Sequence, residues 1–158
     1  MNKRTEFFDK ARDYAFFLLK FRLRSENELA GRLKLKKIPA ETIKEVISFL
    51  KEKRFIDDDL FAKAWINSRL KRPLGLRRIK QELRQKGVDK EIIAAQTAKI
   101  KDYSEIETVL DLAKARLSRL KGIDRVSAKR RLYAFLLRRG FSPEIVMDTL
   151  NQLCAQHT

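Results

Sequence analysis

At 158 residues, 44% hydrophobic and 37% charged, the chain suits one domain or a short array of small units and is too apolar for wholesale disorder. Five glycines and three prolines argue against a turn-rich β fold and for helices joined by short connections. A formal charge of +16 points to polyanionic partners: nucleic acid, an acidic protein surface or an anionic membrane.

At the start, Met1-Asn2-Lys3-Arg4 is basic, but no h-region or small-residue cleavage site follows, so no signal peptide is expected. Tyr14-Ala15-Phe16-Phe17-Leu18-Leu19 is apolar but far too short to span a bilayer, and no membrane association is expected. Met1–Thr5 and Ala155–Thr158 are expected to fray.

An internal repeat organises the rest. Lys37-Ile38-Pro39-Ala40-Glu41, Gly87-Val88-Asp89-Lys90-Glu91 and Gly140-Phe141-Ser142-Pro143-Glu144 align. Counting from Ile38, Val88 and Phe141, apolar residues lie nine back (Leu29, Ile79, Leu132) and five back (Leu33, Leu83, Leu136). Others lie five ahead (Ile43, Ile93, Val146) and twelve ahead (Leu50, Ile100, Leu153). The spacing predicts an all-α fold: three tandem three-helix, helix-turn-helix-like repeats in an elongated array, over residues 1–56, 57–106 and 107–158.

In the first repeat the second helix starts at Ser25 with Glu28 three residues on, a capping box. Its corner, Lys36-Lys37-Ile38-Pro39, lacks glycine and is expected to be built differently. In the central repeat Asp57-Asp58-Asp59 opens a helix to about Leu70, with Phe61, Ala64, Trp65 and Ser68 on one face. The aspartates read as dipole-matched caps rather than a metal cluster, and Trp65 as core rather than a base-stacking platform. Lys71-Arg72-Pro73-Leu74-Gly75 breaks the helix; Leu76 to about Lys86 forms the next, with Leu76, Ile79 and Leu83 inward. Gly87 suits a left-handed C-terminal cap, and Asp89 can start a third helix containing Ile92, Ile93 and Ile100. Asp57, Asp58, Phe61, Trp65, Gly75 and Gly87 are therefore assigned structural roles. The third repeat has a longer connector, Leu120 to Arg125, and a last helix after Ser142-Pro143-Glu144.

Charge follows the repeat. Lys63 to Lys86 holds nine Lys/Arg against Glu82 alone, Lys114 to Arg139 ten against Asp124, and Lys20 to Lys37 seven against Glu26 and Glu28. Tandem units of this kind would present a long positive surface. Arg77, Lys80 and Arg84 form one stripe of the central second helix, with Gln81 and Gln85 outside it. Arginine forks grip phosphates or carboxylates, and glutamine hydrogen-bonds bases or backbone. The candidate polyanion contacts are Arg69, Arg72, Arg77, Arg78, Lys80, Gln81, Arg84 and Lys86, with Lys129, Arg130, Arg131, Arg138 and Arg139 in the third repeat. Tyr133 and Leu137 lie off the Leu132/Leu136 face and could form a protein-binding pair or be buried between repeats.

Cys154 is the sole cysteine and His157 the sole histidine, which excludes a disulfide framework and a Cys–His metal site and fits a reducing cytoplasm. Neither has a triad partner, and no phosphate-loop, dinucleotide or H-E-x-x-H motif is present. The chain reads as a binder without catalytic residues, metal or cofactor. A small metal-dependent nuclease using Asp57–Asp59 ranks below that reading.

Phe55-Ile56-Asp57-Asp58…Phe61-Ala62…Ser68-Arg69, then Gly75…Arg78-Ile79…Gln81-Glu82-Leu83…Lys86-Gly87-Val88, resembles the signature of the RecX family. Ser25-x-x-Glu28-Leu29 and Phe135-Leu136-Leu137-Arg138-Arg139-Gly140-Phe141 extend the resemblance over about residues 10–153, and Lys37-Ile38-Pro39 departs from the pattern by replacing a glycine corner. The resemblance implies a bacterial regulatory protein of tandem three-helix repeats. Such a protein would bind the RecA recombinase filament on DNA along its groove and inhibit recombinase and ATPase activities. A monomer with largely non-specific, electrostatic DNA contact is expected. The alternative is a stand-alone nucleic-acid-binding helix-turn-helix protein.

Overall fold

The computed structural model describes residues 2–156, with the side chain of residue 156 left aside. Among the described residues there are nine α-helices and no strand. They are α1 (Lys3–Leu19), α2 (Glu26–Leu35), α3 (Ala40–Glu52), α4 (Asp58–Leu70), α5 (Leu76–Gln85), α6 (Lys90–Ala98), α7 (Glu105–Leu117), α8 (Arg125–Arg138) and α9 (Pro143–Gln156). The start is more ordered than expected: the Asn2 side chain accepts from the Arg4 N–H and caps α1. At the other end α9 runs through Ala155, while Met1, His157 and Thr158 lie outside the described residues.

The apolar columns form the core. Leu29, Leu33, Ile79, Leu83 and Leu136 are fully buried, and Leu132 nearly so. Two expectations shift. Ile100 falls beyond the end of α6 and is half-buried, so that column is weaker in the central repeat. On α4 the buried residues are Phe61, Ala62 and Ile66; Ala64 and Ser68 are exposed and Trp65 is half-buried. The inward face is therefore rotated from the one read by spacing, because Ala62 and Ile66 lie one and five residues after Phe61.

The three corners share one backbone. Gly87 and Gly140 have φ of 74° and 88°, and Lys37 takes 58° at the aligned position. In each, the left-handed residue donates to the carbonyl three before it: Lys37 to Lys34, Gly87 to Arg84, Gly140 to Leu137, all at 2.9 Å. The next N–H reaches five back, from Ile38 to Leu33, Val88 to Leu83 and Phe141 to Leu136. The glycine-free first corner is thus not built differently; a lysine bears the left-handed strain.

Packing groups the nine helices into two compact units. The first holds the first repeat, the chain up to Trp65, and Leu83–Ala98. Its core gathers Ala11, Ala15, Leu18, Leu29, Leu33, Val46, Leu50 and Ile56, with α1 packed on α3. The second holds Ile66–Glu82 and the chain from Lys99 onward. Its core gathers Val109, Ala113, Leu132, Leu136, Phe141, Val146, Leu150 and Leu153, with α7 packed on α9.

Each unit contains a joint of the same design. In the first, the buried Ser25 hydroxyl donates to the Lys86 carbonyl at 2.6 Å, and a Cβ added to Gly87 would collide with the Asn27 side chain. In the second, the Gly75 N–H donates to the Arg139 carbonyl at 2.9 Å, and a Cβ on Gly75 would collide with the Gly140 carbonyl. Ser25 and Gly75 each immediately precede the second helix of a repeat; Lys86 and Arg139 each precede a left-handed corner. The start of one repeat's second helix therefore docks on the following repeat's corner. Gly75 is needed for this close backbone approach.

Candidate nucleic-acid interface

The first turn of α5 is Leu76-Arg77-Arg78-Ile79, with no acid in it. Cations there oppose the helix dipole, at a cost of about 0.3–1 kcal/mol each. The Glu105 carboxylate partly compensates by accepting from the Leu76 N–H at 2.8 Å. Tyr103 donates from its hydroxyl to the Leu74 carbonyl and fixes the turn ahead of it. Burial, with Glu105 close by, raises the Tyr103 phenol above its ordinary value. Helix stability does not account for Arg77 in this position.

Carboxylates divide the candidate cations into two groups. Glu82 takes Arg69 Nε at 2.6 Å and Arg78 Nε at 3.2 Å, so both are held in the packing of the second unit. Lys86 Nζ lies 2.8 Å from Glu28 and 5.2 Å from the centroid of the Trp65 ring. Trp65 also stacks near Phe61 at 5.7 Å and is half-buried rather than in the core. Lys129 donates to Asn151 at 2.6 Å. Arg139 lies over the Phe135 ring at 5.2 Å, and Arg116 lies over the same ring at 4.9 Å.

Among the described residues, no carboxylate pairs with Arg72, Arg77, Lys80 or Arg84, nor with Arg130, Arg131 or Arg138. All are exposed except Lys80, which is half-buried. Gln81 is exposed beside the Arg77–Arg84 stripe. Tyr133 and Leu137 are half-buried and packed against the second unit's core, so they are not a fully exposed pair.

The three aspartates have separate tasks. Asp57 accepts from the Asp59 and Leu60 N–H groups at 2.8 and 3.2 Å and starts α4. Asp58 accepts from the Glu26 N–H at 2.9 Å, at the start of α2. Burial, with Glu26 and Asp89 nearby, raises the Asp58 carboxyl above the ordinary range despite that bond. Asp59 accepts from the buried Gln96 side chain at 3.0 Å.

Sequence reasoning read Glu28 only as the acid of a capping box. That box is present: Ser25 Oγ accepts from the Glu28 N–H at 3.1 Å, and Glu28 accepts from the Ser25 N–H at 3.2 Å. The same carboxylate also holds Arg22 at 2.8 Å and Lys86. Burial opposes its charge, but hydrogen bonds from Arg22, Lys86 and Ser25 outweigh burial and hold its pKa at about 2.

Fold and surface together define an all-α protein of tandem three-helix units that carries exposed arginines without carboxylate partners on α5 and α8. Family comparison follows the same division: the RecX first, second and third three-helix domains match residues 11–50, 57–95 and 102–150. Regulatory protein RecX of Chlorobium limicola is 36% identical over 92% of this chain and 90% of its own. That of Streptomyces lividans is 34% identical over 91% and 77%. The crystal structure of RecX from Lactobacillus salivarius superposes with a TM-score of 0.83 at 23% identity, covering 96% of this chain and 99% of that one. The chain belongs to the RecX family of regulatory proteins.

Proposed function

We propose that this protein binds the RecA recombinase–DNA filament and inhibits its recombinase and ATPase activities, so modulating recombination and repair. The supporting observation is the α5 stripe: Arg77 and Arg84 are exposed, unpaired and, at Arg77, set against the helix dipole. A stripe kept at some cost to its own helix is explained by a partner surface rich in phosphate and carboxylate. Family membership supplies the class of partner, and the exposed Arg130, Arg131 and Arg138 of α8 offer further contact points.

In this reading the three repeats, residues 1–56, 57–106 and 107–158, act as modules on one monomeric, cytoplasmic chain. Several modest contacts then combine into strong binding, since the second engagement is intramolecular. DNA contact is electrostatic and largely independent of sequence. Inhibition requires only occupancy: bridging subunits or blocking incoming duplex needs no catalytic group and no cofactor. No helix among the described residues is long and apolar enough to cross a membrane.

Arg77→Glu combined with Arg84→Glu tests this assignment. The double variant is expected to keep wild-type helicity by circular dichroism and to lose inhibition of recombinase ATPase by at least tenfold. Undiminished inhibition would remove the stripe as the contact surface.

A further inference from the structure

Helix α1 is apolar on two sides, and only one of them is explained by packing. Ala11, Ala15 and Leu18 are buried in the first unit's core. Tyr14 and Phe17, at i and i+3, lie along a different side, and Phe21 follows in the turn after Leu19. Phe17 is 52% exposed and Phe21 71%. The rings form a continuous ladder: Tyr14 and Phe17 are near-parallel at 18° with centroids 6.4 Å apart, and Phe17 meets Phe21 edge-on at 5.2 Å. Tyr14 is half-buried against the first unit's core and anchors the ladder, while Phe17 and Phe21 are its exposed rings. Single exposed apolar residues are ordinary, but adjacent exposed aromatics mark an interaction surface.

The border of the ladder is positive. Arg32 donates to the Tyr14 hydroxyl at 3.2 Å, and Lys36 Nζ lies 5.0 Å from the Tyr14 ring centroid. Lys20 is exposed beside Phe21. The α1 carboxylates Asp9 and Asp13 are both held by Arg12, at 3.0 and 2.9 Å. Aromatic faces flanked by cations suit one chemistry in particular: bases stack on the rings while the cations take the phosphates between them. An acidic protein would use the cations but gain little from three adjacent rings.

We infer that the Tyr14–Phe17–Phe21 ladder is a stacking site for single-stranded nucleic acid, with Arg32, Lys36 and Lys20 as its phosphate contacts. It is separate from the α5 stripe and does not depend on the filament reading, because its readout uses bare oligonucleotides.

The test measures anisotropy of a labelled dT20 and of an abasic strand with the same number of phosphates. Wild-type protein should bind dT20 about tenfold or more tightly than the abasic strand. Phe17→Ala with Phe21→Ala should bind both strands equally, with helicity unchanged. Phe21→Ala alone, at the most exposed ring, should show a partial loss, and Phe17→Tyr with Phe21→Tyr should restore the preference. Equal wild-type binding to the two strands, or an alanine variant that keeps the preference, would overturn the inference. So would an alanine variant that loses filament association alone, which would make the ladder a protein-docking face.

Discussion

Glu28 decides what two neighbouring cations can do. With Arg22 and Lys86 both hydrogen-bonded to it, neither is available to a partner, although Lys86 ends a stretch of nine Lys/Arg against a single acid. Its carboxyl lies at about 2 in the folded chain against an ordinary 4.5, so folding favours the ionised form. The stability this contributes is complete above about pH 5 and is lost as the pH falls toward 2. With solvent access allowed for, that amounts to about 2 kcal/mol. Urea unfolding at a series of pH values should show the decline in the wild type and largely lack it in Glu28→Gln; parallel profiles would contradict the assignment. The capping box was legible because Ser25 and Glu28 are three residues apart. The partnership with Lys86 was not, since it joins residues 58 apart in sequence. Arg69 and Arg78 were read as contacts for the same reason: a count of charge does not show that one Glu82 holds both.

Among elements, the left-handed corner recurs with the least variation, and its two requirements separate cleanly. Gly87 and Gly140 need both a positive φ and a bare backbone, because Asn27 and Arg78 pack against them. Lys37 meets only the first requirement, and its exposed side chain has room. Lys37→Gly should therefore raise stability by about 0.5–1 kcal/mol through relief of the left-handed strain. Gly140→Ala should cost more than about 2 kcal/mol, since strain and collision add. Thermal and urea unfolding of the two variants would refute the corner model if both proved neutral. The register of these corners was legible from Ile38, Val88 and Phe141. The conformation at Lys37 was not, because glycine's usual preference for positive φ hid the fact that the hydrogen bonds are the same. On α4, spacing found a helix but chose the wrong inner edge, since alanine at positions 62 and 64 gives periodicity little to distinguish them.

For the whole molecule, the number and order of helices were legible, as was the threefold repeat. The grouping was not. Ile66–Glu82 packs with the third repeat, and Leu83–Ala98 with the first, so the central repeat serves both units. Local columns look alike whichever neighbour a helix joins, and long-range bonds such as Ser25–Lys86 and Gly75–Arg139 reveal the choice. A cut at residue 107 would accordingly remove the packing partner of the α4–α5 turn as well as a repeat.

A charge of +16 also governs how the whole chain meets its partner. Binding to bare DNA by counterion release weakens steeply with salt, whereas engagement of several modules with a protein-coated strand adds contacts that salt screens less. The most direct test is a salt titration of binding to bare single-stranded DNA and to the recombinase–DNA filament, side by side. Filament affinity should exceed bare-DNA affinity by at least tenfold near 0.15 M salt, with the gap widening as salt rises. Equal or tighter binding to bare DNA throughout, or a sequence-specific footprint on it, would contradict the account and favour a stand-alone nucleic-acid-binding protein.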